Sequence, residues 1–368
     1  MDTGKFLADC LREMIEQRGS DLHLKANSKP RIRVKGDIKV SNQPVIDEAG
    51  LRDLTRNLLN EHQQKLLQTN GGVDFGFDVP GFGRYRGNIF IQMGKTSIVF
   101  REIKSVIPSF GELHIPKVFE SIASHQRGLV LVSGPTSAGK STTVAAIVQY
   151  INKMRDCHII TLEDPIEYIY ADDHAVINQR QIGDDVPTFS EALKYVVRQD
   201  PDVIVIGEMR DAESFYSAMA ASETGHLVIS TVHAKNVSQC FDRILGFFPG
   251  AQREQVLAQM SFNVCAITSQ RLLPMKDSTG MVPVFEILVS TPTIEKLIRE
   301  NRLDKMSQAI MAGKEDGMQT FNQALLDLYQ RQLILKEEAF LASDNPQQLE
   351  MNMKGIFLDE KSGGILGS

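Results

Sequence analysis

The chain has 368 residues and a net charge of −6. It is 42 % hydrophobic and 23 % charged, the balance of an ordinary soluble globular protein with two or three domains and a sizeable core. The acidic total argues against nucleic acid as the main partner. Cys10, Cys157, Cys240 and Cys265 are too scattered for a zinc cluster, and no apolar run reaches the 18 residues of a membrane span.

At the N-terminus, Phe6, Leu7, Leu11, Met14 and Ile15 recur at helical spacing over residues 5–17. Charges interrupt this stretch, so it is no secretory signal, and a cytoplasmic chain without membrane insertion is expected. Ser20–Leu24 alternates like a short strand. "RIRVKGDIKV" follows, with Gly36-Asp37 between two alternating runs, which predicts a hairpin. A helix is expected over about 47–67. "VDFGFDV", "GRYRGNIFIQ" and "TSIVFREI" then read as three strands. Residues 1–104 are therefore expected to form an α+β unit with a mostly antiparallel sheet. Residues 105–116, with Pro108 and Pro116, read as a linker.

From residue 128 the pattern changes. "GLVLVS", "HIITLE", "DVIVIGE" and "HLVIST" are apolar runs separated by helical segments, which predicts an α/β core with a parallel sheet over 117–290. After Thr291 the strand signal fades, and helices are expected over 291–360. The tail 361–368, "KSGGILGS", has a flexible composition.

The chemistry concentrates in this second half. Gly134-Pro135-Thr136-Ser137-Ala138-Gly139-Lys140-Ser141, with Thr142 after it, fits the phosphate-loop pattern between a strand and a helix. Such a loop aims backbone N–H groups at phosphate. Lys140 neutralises β- and γ-oxygens, and the Ser141 hydroxyl ligates Mg²⁺. Alone, Glu208 would be a solvated strand-end acid. Beside a phosphate loop it is a candidate to hold Mg²⁺, directly or through water. "LEDPIEY" adds Glu163, Asp164 and Glu167, among which the spacing does not choose. His226 and His233 frame one strand as candidate γ-phosphate contacts, on opposite sides of it. Arg84 and Arg86 share one face of a strand, and Arg101 lies on the next. A solvated face is the ordinary reading, and an arginine delivered to a neighbour's nucleotide is the alternative.

In order, "SDLHL", "RVKGDI", "RGLVLVSGPTSAGKSTT", "ITLEDPIEYI", "NQRQIG", "RQDPDVIVIGEMRD", "SETGHLVISTVHA" and "GMQTFNQALLDLY" make the chain resemble the type IV pilus retraction ATPases over nearly its whole length. The resemblance implies a PAS-like N-terminal domain and a RecA-like ATPase domain, assembled as a homohexamer with ATP and Mg²⁺. It implies Walker roles for Lys140, Ser141 and Glu208, a catalytic base in Glu167, a His box in His226 and His233, and nucleotide contact by Arg86 with Arg84 and Arg101. It further implies work on an inner-membrane pilus platform protein at the base of the pilus, and it allows a paralogous retraction ATPase as partner. Two positions depart from the family: Ser137 stands where it has a glycine, and Met311 where its AIRAG motif has arginine. They keep open an accessory, weakly hydrolysing ring subunit. A pilus assembly or secretion ATPase is the other alternative, disfavoured by the lack of a tetracysteine segment.

Overall fold

The computed structural model describes residues 2–34 and 36–356; the tail expected over 361–368 lies outside them. The chain forms two compact units. One runs to Val106 and includes Glu167–Ile169. The other holds Ile107–Ile166 and the described chain from Tyr170 onward.

The first unit opens with the helix Thr3–Glu16, whose N-terminus is capped by Asp2 accepting from the Lys5 N–H. Strands β1 (Asp21–Lys25), β2 (Arg31–Val34), β3 (Asp37–Val40), β4 (Gly72–Val79), β5 (Gly83–Gln92) and β6 (Lys95–Glu102) build one sheet. Its order is β3-β2-β1-β6-β5-β4, and every pairing is antiparallel. Alternation sends Leu22, Ile32, Phe75, Tyr85, Ile89 and Phe100 to one face, where they share a core with Leu11 and Met14 of the first helix.

Two expectations are corrected here. Val34 pairs with Asp37, so Asp37 lies inside β3 and the turn precedes it. The helix expected over 47–67 is two helices, Glu48–Leu58 and Glu61–Asn70. Leu59 turns extended, and Asn60 restarts the chain with a capping box closed by Gln63.

In the second unit, seven strands form one sheet: β7 (Gly128–Ser133), β8 (His158–Glu163), β9 (Val176–Gln181), β10 (Val203–Ile206), β11 (Leu227–Val232), β12 (Val264–Pro274) and β13 (Met281–Val289). The order is β13-β12-β7-β11-β10-β8-β9. All neighbours pair in parallel except β13, which runs antiparallel to β12. Helices cover both faces. Leu129 and Leu131 of β7 join a core with Phe215 and Phe241. Val130 and Val132 join the other, with Ile147 and Phe119. Burial on both faces is why these strands read as unbroken apolar runs.

Within 105–116, the segment Ser109–Ile115 packs onto this unit: the Phe110 ring stacks on Tyr150 at 5.1 Å, and Ile115 is buried. Helices Pro292–Arg299, Met306–Ala312, Phe321–Gln330, Lys336–Leu341 and Pro346–Met353 follow the sheet. Phe321, Leu325 and Leu328 pack with Val282 and Val284 of β13.

Candidate functional site

The strand order sets the site. β7 lies between β12 and β11, and β11 lies between β7 and β10. The segments leaving β7, β11, β10 and β8 therefore emerge side by side at one edge of the parallel sheet, where open α/β folds bind ligands.

After β7 the backbone enters a loop that side chains would obstruct. A Cβ on Gly134 would stand 2.6 Å from the Gln270 carbonyl oxygen. Gly139 has φ +86 and leads into the helix Lys140–Met154, whose N-terminus no side chain caps. Ser137 adopts φ +64. It is thus a left-handed residue at the position where the family pattern has glycine, at a strain of roughly 1–2 kcal/mol. Gln270 on β12, itself buried, donates through Nε2 to the Ala138 carbonyl at 2.6 Å and props the loop from below.

Lys140 Nζ donates to the carbonyls of Gly134 and Pro135, each at 3.0 Å, and lies 3.4 Å from His233 Nδ1. Burial lowers its pKa, and the nearby Glu208 charge pulls the other way. The other His233 nitrogen, Nε2, is 3.4 Å from Glu208 Oε1. Glu208 is fixed from behind: Thr231 Oγ1 donates to the Gly207 carbonyl at 2.7 Å, and the Met209 N–H donates to the Thr231 carbonyl. Glu208 Oε2 accepts from Arg210 Nε at 2.8 Å, and Arg210 Nη1 reaches Asp164 Oδ2 at 3.5 Å. A polar chain Lys140–His233–Glu208–Arg210–Asp164 thus crosses the ends of four strands.

Not every expected residue joins it. His226 lies at the opposite end of β11, where its Nδ1 is 2.8 Å from the Ala221 carbonyl oxygen and 3.2 Å from Thr224 Oγ1. A six-residue strand separates the two histidines, about 20 Å of extended chain. Within one subunit the two histidines therefore cannot meet one phosphate together, and His233 is the one that stands beside the phosphate loop. Of the three acids, Glu163 accepts from Thr161 and Gln179 within the sheet, Asp164 meets Arg210, and Glu167 is exposed in the short segment that groups with the first unit. There Tyr168 bridges Lys104.

Arg84, Arg86 and Arg101 stand on the face of the first unit's sheet opposite its core, with Arg86 directly across from Arg101. Arg84 pairs with Asp78, Arg86 with Asp74, and Arg101 with Asp21.

The donors at the sheet edge suit a hard cation. The exposed Ser141 hydroxyl and the Glu208 carboxylate offer oxygens, and Mg²⁺ takes one or two such ligands beside substrate phosphates. Arg210, Gln270 and Thr231 were not singled out by the pattern of the sequence. Arg210 stands inside the "GEMRD" run, two residues past Glu208. Gln270 had no local signal, because its role comes from β12 lying beside β7.

Known proteins resemble this chain in sequence and in fold. The family model described as type II/IV secretion system protein matches residues 111–280. A twitching motility protein of Neisseria gonorrhoeae is 40 % identical over 320 residues, covering 87 % of this chain and 86 % of its own. The type IV pilus retraction ATPase PilT of Pseudomonas aeruginosa is 39 % identical over 333 residues, covering 90 % of this chain and 96 % of its own. The crystal structure of a pilus retraction motor PilT with bound ADP superposes with a TM-score of 0.86 at 40 % identity, over 92 % of this chain and 97 % of that one.

Proposed function

The chain belongs to the type IV pilus retraction ATPases of the type II/IV secretion family, and from that premise we propose that it is a homohexameric motor that hydrolyses ATP to draw pilin back into the membrane. The observation that carries the reading is the Lys140–His233–Glu208 contact at the mouth of a phosphate loop.

Phosphate entering the loop replaces the two carbonyls that Lys140 now holds, and Lys140 neutralises β- and γ-oxygens. Ser141 and Glu208 are the residues that would hold Mg²⁺, which when bound neutralises charge on the β- and γ-phosphates. We assign His233 to the terminal phosphate and Glu167 to orienting the attacking water. Catalysis of this kind is mostly positioning and charge stabilisation. We further assign the first unit's arginines to a nucleotide held by a neighbouring subunit, so that loaded and empty subunits favour different arrangements. The machine served is the platform protein at the cytoplasmic base of the pilus.

Deleting the gene tests the output. Excess pili without twitching is expected, whereas loss of pili would move the chain to assembly. An accessory, weakly hydrolysing subunit is the second reading, favoured by the left-handed Ser137 and by Met311. ATP turnover of the purified chain decides it, with Lys140→Ala and Glu208→Gln as blanks. Turnover equal to the blanks would favour the accessory role.

A further inference from the structure

The open face of the first unit's sheet carries a charged row built by strand register. Arg33 on β2 faces Asp21 on β1, Asp21 faces Arg101 on β6, and Arg101 faces Arg86 on β5. The Asp21 side chain is only 5 % exposed. Its Oδ1 accepts from Arg101 Nε at 2.8 Å, and its Oδ2 accepts from Ser20 Oγ at 2.7 Å and lies 3.6 Å from Arg33 Nε. Burial pushes this carboxyl up, but the hydrogen bonds from Ser20 and Arg101 outweigh it and hold the group below its ordinary value. Asp21 is therefore an ionised, buried acceptor.

Four of the arginines on this face, Arg33, Arg84, Arg86 and Arg101, are not equally committed. Arg33 Nη1 donates to the Gly36 carbonyl, Arg84 Nη1 to Asp78 and Arg86 Nη2 to Asp74. Among the described residues, Arg101 is bound through Nε alone. Its side chain is 62 % exposed, and among the described residues its recorded ionic partner is Asp21 only. A guanidinium held at Nε keeps its two Nη groups as a planar fork, the geometry that matches two oxygens of a phosphate.

We propose that Asp21 is a positioning residue for ATP hydrolysis, which fixes Arg101 at Nε so that its Nη pair engages the terminal phosphates of a nucleotide on another subunit. The inference rests on the proposed role of these arginines in a neighbour's site, and it selects Arg101 from the three that the sequence leaves open. Asp21 would touch neither nucleotide nor water. It removes the rotamer freedom of a long side chain, and a displacement of about 1 Å at such a group can cost on the order of a hundredfold in rate.

The test is steady-state ATP hydrolysis by the full-length protein, with thermal melting beside it. Asp21→Asn is expected to lower kcat about tenfold to a hundredfold with little change in KM, in a chain that melts at a somewhat lower temperature but is still fully folded under assay conditions. Asp21→Asn with Arg101→Ala should be no worse than Arg101→Ala alone. Mixing Asp21→Asn subunits with Lys140→Ala subunits should recover activity, because some interfaces then combine an intact loop with an intact Asp21–Arg101 pair. Wild-type kcat in Asp21→Asn, alongside a defective Arg101→Ala, would overturn the positioning role and leave the arginine reading standing. Wild-type kcat in Arg101→Ala would sink the arginine reading itself. Recovery on mixing Arg101→Ala with Lys140→Ala, without recovery for Asp21→Asn, would also overturn the proposal. Should Asp21→Asn fail to fold, Arg101→Lys replaces it. Lysine keeps the charge but cannot bind Asp21 and offer a fork at once, so a loss equal to Arg101→Ala supports the proposal and wild-type activity overturns it.

Discussion

His233 Nε2 lies 3.4 Å from Glu208 Oε1. The contact exists because β11 separates β10 from β7, so the residue leaving β11 falls between the acid that follows β10 and the lysine that follows β7. His233→Ala is expected to lower kcat by about a hundredfold, in the range for losing one group that stabilises charge developing in the transition state. Nucleotide affinity should change much less, since the loop amides and Lys140 remain. Single-turnover hydrolysis and calorimetry with ADP separate the two effects. Equal losses in both would show that His233 serves binding rather than catalysis.

Ser137 holds φ +64 in the phosphate loop. Glycine there relieves strain of roughly 1–2 kcal/mol but adds unfolded-state freedom of about 0.4–1 kcal/mol. Ser137→Gly should therefore stabilise the chain by up to about 1.5 kcal/mol. Urea unfolding reads this directly, and a destabilised variant would show that the Ser137 side chain makes a compensating contact.

Gln270 holds the loop from β12. Gln270→Leu leaves the Ala138 carbonyl without that donor, at about 1–3 kcal/mol for an unsatisfied buried group. Lower stability and weaker ADP binding are expected together. A variant that binds ADP as well as the parent would show that the loop keeps its shape unaided.

Glu286 on β13 is buried and accepts from the Val237 N–H at 2.7 Å, four residues past His233. Burial raises its pKa to about 7; the Val237 bond and Arg271 oppose this, while Asp344 adds to it. Because the folded value lies above the unfolded one, the group's contribution to stability is full below about pH 4.5 and is lost as pH rises through 7. Glu286→Gln should therefore be more stable than the parent at pH 8, by on the order of 1–3 kcal/mol, and nearly equal to it at pH 4. Denaturant melts at the two pH values check the sign. Greater stability of the parent at pH 8 would contradict it.

Much of this was legible before the fold was known. The runs at 128–133, 158–163, 203–206 and 227–232 announced themselves because strands buried on both faces have no polar alternation to hide them. The phosphate loop was legible because its chemistry is local. β9 was not, because "VINQRQ" is a half-exposed edge strand with a polar face. The break at Leu59–Asn60 was missed because apolar spacing continues across it, and only the cap chemistry marks it. Arg210, Gln270 and Asp21 were unreadable as functional residues for a common reason. Each acts through a residue brought alongside by strand register or by the side-by-side ends of strands, which no local pattern encodes.

The central claim is that the backbone and lysine between Gly134 and Ser141 grip a nucleotide. Isothermal titration of ATP or ADP with Mg²⁺ into the pure chain tests it most directly. Saturable binding that Lys140→Ala abolishes or greatly weakens is expected. No heat of binding from the parent chain, or equal binding by the Lys140→Ala chain, would contradict the account.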